Sequence, residues 1–188
     1  MAQVQITKKG RKKWYPVAAS EHFNKGIIGE ILSYDAQTLI GRHLRINLSH
    51  LTGDMRNQNI NVTFRIIQLV KDVAETEIAK YTLVNTFIKR IVRSSKDRID
   101  DSFVVTSKDN VQLRIKPLYL TRNNTQHSVS TRIREKGCEE IKTMVSSQSA
   151  SAFFTEVFMN KVQKTLRSNL SKIYPLQSVE IRSIEKLT

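Results

Sequence analysis

The sequence predicts an α+β protein, an antiparallel sheet with amphipathic helices packed on it, and three observations carry that prediction. Over Asn61–Leu83, two apolar runs with a period of two flank the charged break Lys71–Glu75, which is the pattern of a hairpin with one buried face. From Ser130 to Ile173 the period becomes helical, with apolar residues recurring at three- and four-residue steps. The charge is +14 over 188 residues, but residues 26–85 are neutral, with six Lys/Arg against six acids. A neutral sheet scaffold with basic flanks is therefore expected.

Met1–Lys13 offers nothing apolar to bury and carries the run Lys8-Lys9-Gly10-Arg11-Lys12-Lys13, so it reads as a flexible arm that orders on a partner. Residues 14–188 read as one domain, long enough to bury roughly 70% of their unfolded surface without disulfide or metal. Trp14 and Tyr15 have two readings, stacking on a base or anchoring the arm in the core, and the second is the plainer. Ser20–Lys25 suits a short turn of helix, followed by strands at Glu30–Tyr34 and Thr38–Asn47. Leu48–Asn59 reads as a polar connection. In the first strand of the central hairpin, Val62, Phe64, Ile66 and Val70 share the predicted inward face.

Thr86–Lys96 predicts a helix with Phe87, Ile88, Ile91 and Val92 inside and Lys89, Arg93 and Lys96 on one outward face. Asp97–Asp101 reads as a solvated loop. Ser102–Thr106 and Val111–Leu120 predict a second hairpin, with Arg114 and Lys116 opposite Leu113 and Ile115. Ser130–Val145 is the strongest helix, and Gly137 within its apolar stripe implies a close neighbour. The four-residue recurrence Phe154, Phe158, Val162, Leu166, Leu170 predicts one long helix or two bent near Asn160. Tyr174-Pro175 ends it, and Val179–Leu187 closes the chain as a strand.

Catalytic chemistry is poorly supplied. His22, His43, His50 and His127 lack metal-ligand spacing, Cys138 has no second cysteine, and there is no Gly-rich phosphate loop or nucleophile elbow. A metal-dependent nuclease using Asp97, Asp100, Asp101, Glu140 and Lys142 is the best enzymatic reading. It fails on spacing, because residues two apart on a helix face different ways. No enzyme and no cofactor is expected.

Binding chemistry is rich. Residues 1–25 carry +5 and residues 86–135 carry +6, a localised excess that suits a polyanion. Expected RNA-binding residues are Lys8, Lys9, Arg11, Lys12, Lys13 and Trp14 on the arm, and Lys89, Arg90, Arg93, Lys96 and Arg98 in the centre. Arg114, Lys116 and Arg122, then Arg132 and Arg134, complete the set. If they converge they neutralise roughly 6–10 phosphates, with binding that falls steeply in salt. Met1–Lys13 has no apolar leader region and no apolar run approaches a membrane span. With one cysteine, a reducing cytoplasm is expected.

Trp14-Tyr15-Pro16-Val17, Ile28-Gly29-Glu30-Ile31-Leu32, Leu44–Leu51 with Gly53-Asp54, and Val62-Thr63-Phe64-Arg65 occur in that order, followed by Ile173-Tyr174-Pro175-Leu176 and Val179-Glu180-Ile181-Arg182. Together they resemble the small-subunit ribosomal proteins shared by archaea and eukaryotes, the S-three-a-e (or S-one-e) family. The short arm and the end at Thr188 without a long basic tail resemble the archaeal form. The resemblance implies a barrel-like antiparallel core with packed helices. It also implies a ribosome-bound place on the subunit platform near the mRNA exit, with small-subunit rRNA and neighbouring ribosomal proteins as partners and direct contact with mRNA left open. The second reading is a free single-stranded nucleic-acid-binding barrel acting as a translation or RNA-chaperone factor. Such a barrel needs a row of exposed aromatics, whereas Phe64, Tyr81, Phe103 and Tyr119 fall one per strand and read as core.

Overall fold

A computed structural model describes residues 11–20, 23 and 25–187. The first strands are β1 (Lys13–Ala18), β2 (Ile27–Ser33) and β3 (His43–Asn47), followed by helix α1 (Leu48–Thr52). The central hairpin is β4 (Ile60–Val70) and β5 (Val73–Leu83), leading into α2 (Asn85–Ile91). Strands β6 (Arg98–Asp100), β7 (Phe103–Thr106) and β8 (Gln112–Thr121) precede helices α3 (His127–Ser147), α4 (Ala150–Phe158) and α5 (Lys161–Leu170). Strand β9 (Leu176–Leu187) returns to the sheet.

All nine strands belong to one sheet, mostly antiparallel and not closed into a barrel. It branches at β5. One edge of β5 pairs with β4; the other pairs with β1, in parallel, at Ala74 and Glu75, and then with β9 at Lys80–Thr82. Strand β8 branches likewise, pairing with β9 on one edge and with β6 and β7 on the other. Helices α3 and α5 cover one face, α3 against β6 and β7 and α5 against β9. The main core lies between them: Phe64, Tyr81, Leu113, Ile115 and Ile184 face Ile133, Ile141, Phe154 and Leu166.

The central hairpin forms as expected, with a tighter turn. Val70 pairs with Val73, and Lys71 and Asp72 occupy left-handed backbone (φ 49° and 64°), the two-residue geometry whose twist matches the strands. The inward alternation holds through Ile66 and then breaks. Ile67 is an extra residue in the β4 register, so Leu69 turns toward a second cluster of Tyr15, Val17, Leu39, Ile66 and Ala74. Val70, expected inside, is 43% exposed as a result.

Other boundaries move for local reasons. Leu48–Thr52 is helical, not a plain connection, because the Asn47 side chain accepts a bond from Ser49 N (3.0 Å) and Gly53 ends the helix at φ 69°. The Thr38–Asn47 segment starts with a short 3-10 turn, and only His43–Asn47 is strand. Of Ser20–Lys25, Phe23 N donates to Ser20 O and Gly26 N to Phe23 O, a turn that agrees with expectation where it is described. The C-terminal helical run divides at Asn160, left-handed at φ 57°, into α4 and α5.

Candidate nucleic-acid interface

Lys8 and Lys9 lie outside the described residues. The described part of the arm meets the sheet at β1, where alternation separates the two aromatics. Tyr15 points inward and is 6% exposed, so it is the core anchor. Trp14 points to the other face and is 63% exposed, against the reading that buried both. Arg11, Lys12 and Lys13 are exposed beside it, and Lys12 Nζ lies 5.2 Å from the centre of the Tyr34 ring.

The central basic region is built differently from its sequence pattern. Helix α2 stops at Ile91, because Val92 is half-buried against the main core and turns to extended backbone (φ −79°, ψ 119°). Lys89 and Arg90 are exposed on the helix, with Arg90 over the Phe87 ring at 5.4 Å. Arg93 and Lys96 therefore leave the expected helical face and sit in the loop that follows, Lys96 donating from Nζ to Gln177 Oε1.

Asp97–Asp101 is not a solvated loop, since Arg98–Asp100 is strand β6. The Asp97 carboxylate accepts from Thr125 N (2.6 Å) and Thr125 Oγ1 (3.0 Å), while Thr121 N donates to the Asp97 carbonyl (3.1 Å). These bonds tie the Thr121–His127 loop to β6. One groove results, lined by Asp97, Arg98, Asp100, Thr125, His127 and Arg134. Arg98 is paired with Asp100 there, and Arg134 reaches the same groove from α3. Arg122, on the loop, and Arg132, on α3, are both exposed but do not line this groove.

The acids of the nuclease reading are engaged elsewhere: Asp97 holds the loop, Asp100 binds Arg98, and Glu140 accepts from Asn169 Nδ2 (3.2 Å). Among the described residues, no three His, Cys, Asp or Glu side chains are grouped for a metal ion.

Arg114 and Lys116 do alternate with buried Leu113 and Ile115, which puts them on the sheet face away from the helices. Arg114 stands opposite Glu185, which also takes Lys80 at 3.5 Å. Lys116 shares a cleft with Asp100, Asp101 and Arg182. The predicted cations thus occupy separate surfaces. Only the β6–α3 groove brings members of two clusters together, and the arm joins the sheet at the opposite end of β5 from α2.

Sequence reasoning missed Arg45 and Arg182, exposed on the outer sheet face, and a basic helix. Lys161, Lys164 and Arg167 are exposed on α5. The signal was present, since Lys161–Ile173 contains no acid.

Three groups, the half-buried Glu180 and the buried Tyr81 and Tyr119, are shifted by desolvation. Burial pushes the Glu180 carboxyl up to about 7. Burial first, then the charge of Glu180, raises Tyr81, and burial then Asp101 raises Tyr119. Among the described residues, neither phenol oxygen has a hydrogen-bond partner. Phe64, Tyr81 and Tyr119 are fully buried, and Phe103 is half-covered, with Lys142 at 5.9 Å, so these four form no exposed stacking row.

Fold and surface together define an α+β sheet protein with cations dispersed over several faces. Its sequence matches the Ribosomal S3Ae family over residues 4–188, and the chain belongs to that family. It is 31% identical to a protein of Archaeoglobus fulgidus named small ribosomal subunit protein eS1, covering 94% of this chain and 84% of that one. Proteins of the same name are 30% identical in Sulfurisphaera tokodaii (94% and 91% covered) and 27% identical in Halorubrum lacusprofundi (98% and 86%). No helix among the described residues is long and apolar enough to cross a membrane.

Proposed function

We propose that this protein is a structural constituent of the small ribosomal subunit that binds small-subunit rRNA. Its place is the subunit platform near the mRNA exit, beside other ribosomal proteins, on cytoplasmic ribosomes. Residues 14–188 act as one rRNA-binding domain and 1–13 as an ordering arm. Family membership over 4–188 supports the ribosomal part of this reading. The observation that carries the rRNA part is the dispersal of exposed cations over α2, the β6–α3 groove, the outer sheet face and α5. A folded RNA that packs around a protein meets several faces at once, mainly through phosphates.

The test is sedimentation of a ribonuclease-free lysate, with and without a high-salt wash. About one copy per small subunit, retained through the wash, is the expected result. The second reading, a free single-stranded binder, is favoured by one observation, the exposed Trp14. It predicts protein at the top of the gradient or stripped by moderate salt.

A further inference from the structure

The β1–β2 pair carries an aromatic surface that the core does not use. Trp14 is opposite Leu32, with Lys13 opposite Ser33. Tyr34 follows directly and is 40% exposed, with Lys12 above its ring. Tyr34 stands one residue past the last ladder pair, Lys13 with Ser33, and two positions beyond Leu32, so alternation carries it toward the side of the pair that bears Trp14. Strand β2 pairs only with β1 and is one of the sheet's edges.

We propose that Trp14 and Tyr34 form a stacking platform for unpaired RNA bases, with Arg11, Lys12 and Lys13 holding the adjoining phosphates. The proposal rests on the rRNA-binding reading and specifies which form of RNA this end of the molecule takes. A duplex hides its base faces, so an indole this exposed is useful only to a single strand. Five of the six residues from Lys8 to Lys13 are cations, against two acids, Glu30 opposite Pro16 and Asp35 next to Tyr34, and this net positive charge favours a polyanion over an apolar protein neighbour. The flat aromatic, the local positive charge and the edge position agree.

Trp14 is the only tryptophan, so the full chain carries its own reporter. The experiment titrates it with a single-stranded adenylate dodecamer and, separately, with a duplex RNA of equal length, at low salt. Trp14 emission is quenched by the single strand and not by the duplex. By anisotropy of a labelled dodecamer, Trp14→Ala weakens binding roughly 5- to 100-fold and Trp14→Phe much less. Tyr34→Ala weakens it as well.

A dodecamer that binds without changing Trp14 emission, or that binds Trp14→Ala equally well, overturns the platform while leaving rRNA binding intact. Quenching in assembled small subunits that survives ribonuclease digestion makes the occupant a neighbouring protein and also overturns it. Absence of any rRNA binding by the unaltered protein overturns the rRNA reading and this inference with it.

Discussion

Tyr119 and Gly137 are packed so closely that a Cβ on Gly137 would lie 2.3 Å from the Tyr119 hydroxyl oxygen and 2.7 Å from Cζ. Glycine is what lets α3 approach β8 at this point. The phenol oxygen gains nothing for its burial, since it has no hydrogen-bond partner among the described residues. Gly137→Ala relieves a helix-interior glycine, worth up to about 1 kcal/mol, but overpacks a rigid ring, which costs about 1–3 kcal/mol. Net destabilisation is expected, as a lower urea midpoint. Tyr119→Phe alone is neutral or stabilising, and combined with Gly137→Ala it recovers only part of the loss, because the hydroxyl contact goes while the ring Cζ stays 2.7 Å from the new Cβ. If the double variant is as weak as the sum of the two singles, the contact is not the cause.

Glu180 gives the fold a pH dependence opposite to that of a paired carboxylate. Its folded value, about 7, lies above its ordinary 4.5, so the folded state keeps a proton that the unfolded chain releases. Between those values stability falls as pH rises, and above about 7 the full penalty, of the order of 1–3 kcal/mol, remains. Glu180→Gln removes this contribution. Urea midpoints from pH 5 to 8 are expected to show the variant matching the parent at the acid end and exceeding it at the alkaline end. Parallel curves would show that the carboxyl is solvated.

Asp97 is a positioning residue for the groove. Asp97→Ala leaves Thr125 N and Oγ1 without their acceptor, a loss of about 1–3 kcal/mol for a charge-assisted, partly buried pair of bonds. Amide exchange over 121–127 is expected to accelerate while the core amides of β4 and β5 stay protected. Unchanged exchange at Thr125 would mean the loop is held by its other contacts.

Charge reversal separates the faces. Arg134→Glu, in the β6–α3 groove, and the triple change of Lys161, Lys164 and Arg167 to Glu on α5 touch exposed positions only, so folding should be unaffected. Every phosphate partner removed lowers the salt slope of rRNA binding by about 0.7–0.9. The groove and α5 lie on different elements, so their effects should add in free energy. A triple α5 variant that binds rRNA as tightly as the parent removes that helix from the interface.

Local pattern alone settled much of this chain. Period-two runs placed β4, β5, β7, β8 and β9 and helical recurrence placed α3 to α5, while the choice between one helix and two near Asn160 was left to that residue's left-handed backbone. The same pattern marked Gly137 as a close contact, and the ordered motifs from Trp14 to Arg182 were enough to place the family. Periodicity reports which side chains share a face, because that follows from backbone geometry alone.

Long-range packing chose which face is covered and where each element stops. The extra residue at Ile67 turns Leu69 inward and Val70 outward, because a second cluster beside β1 offers Leu69 somewhere to pack. Helix α2 ends at Ile91 because Val92 is drawn to the core, and that takes Arg93 and Lys96 off the helix. Strand β6 exists because β8 supplies a free edge for it. Trp14 and Tyr15, adjacent in sequence, go to opposite sides of one strand, and only Tyr15 enters the core. Whether distant cations converge depends on strand order. The branching at β5 sends the arm to one end and α2 to the other, a non-local pairing that no window of sequence contains.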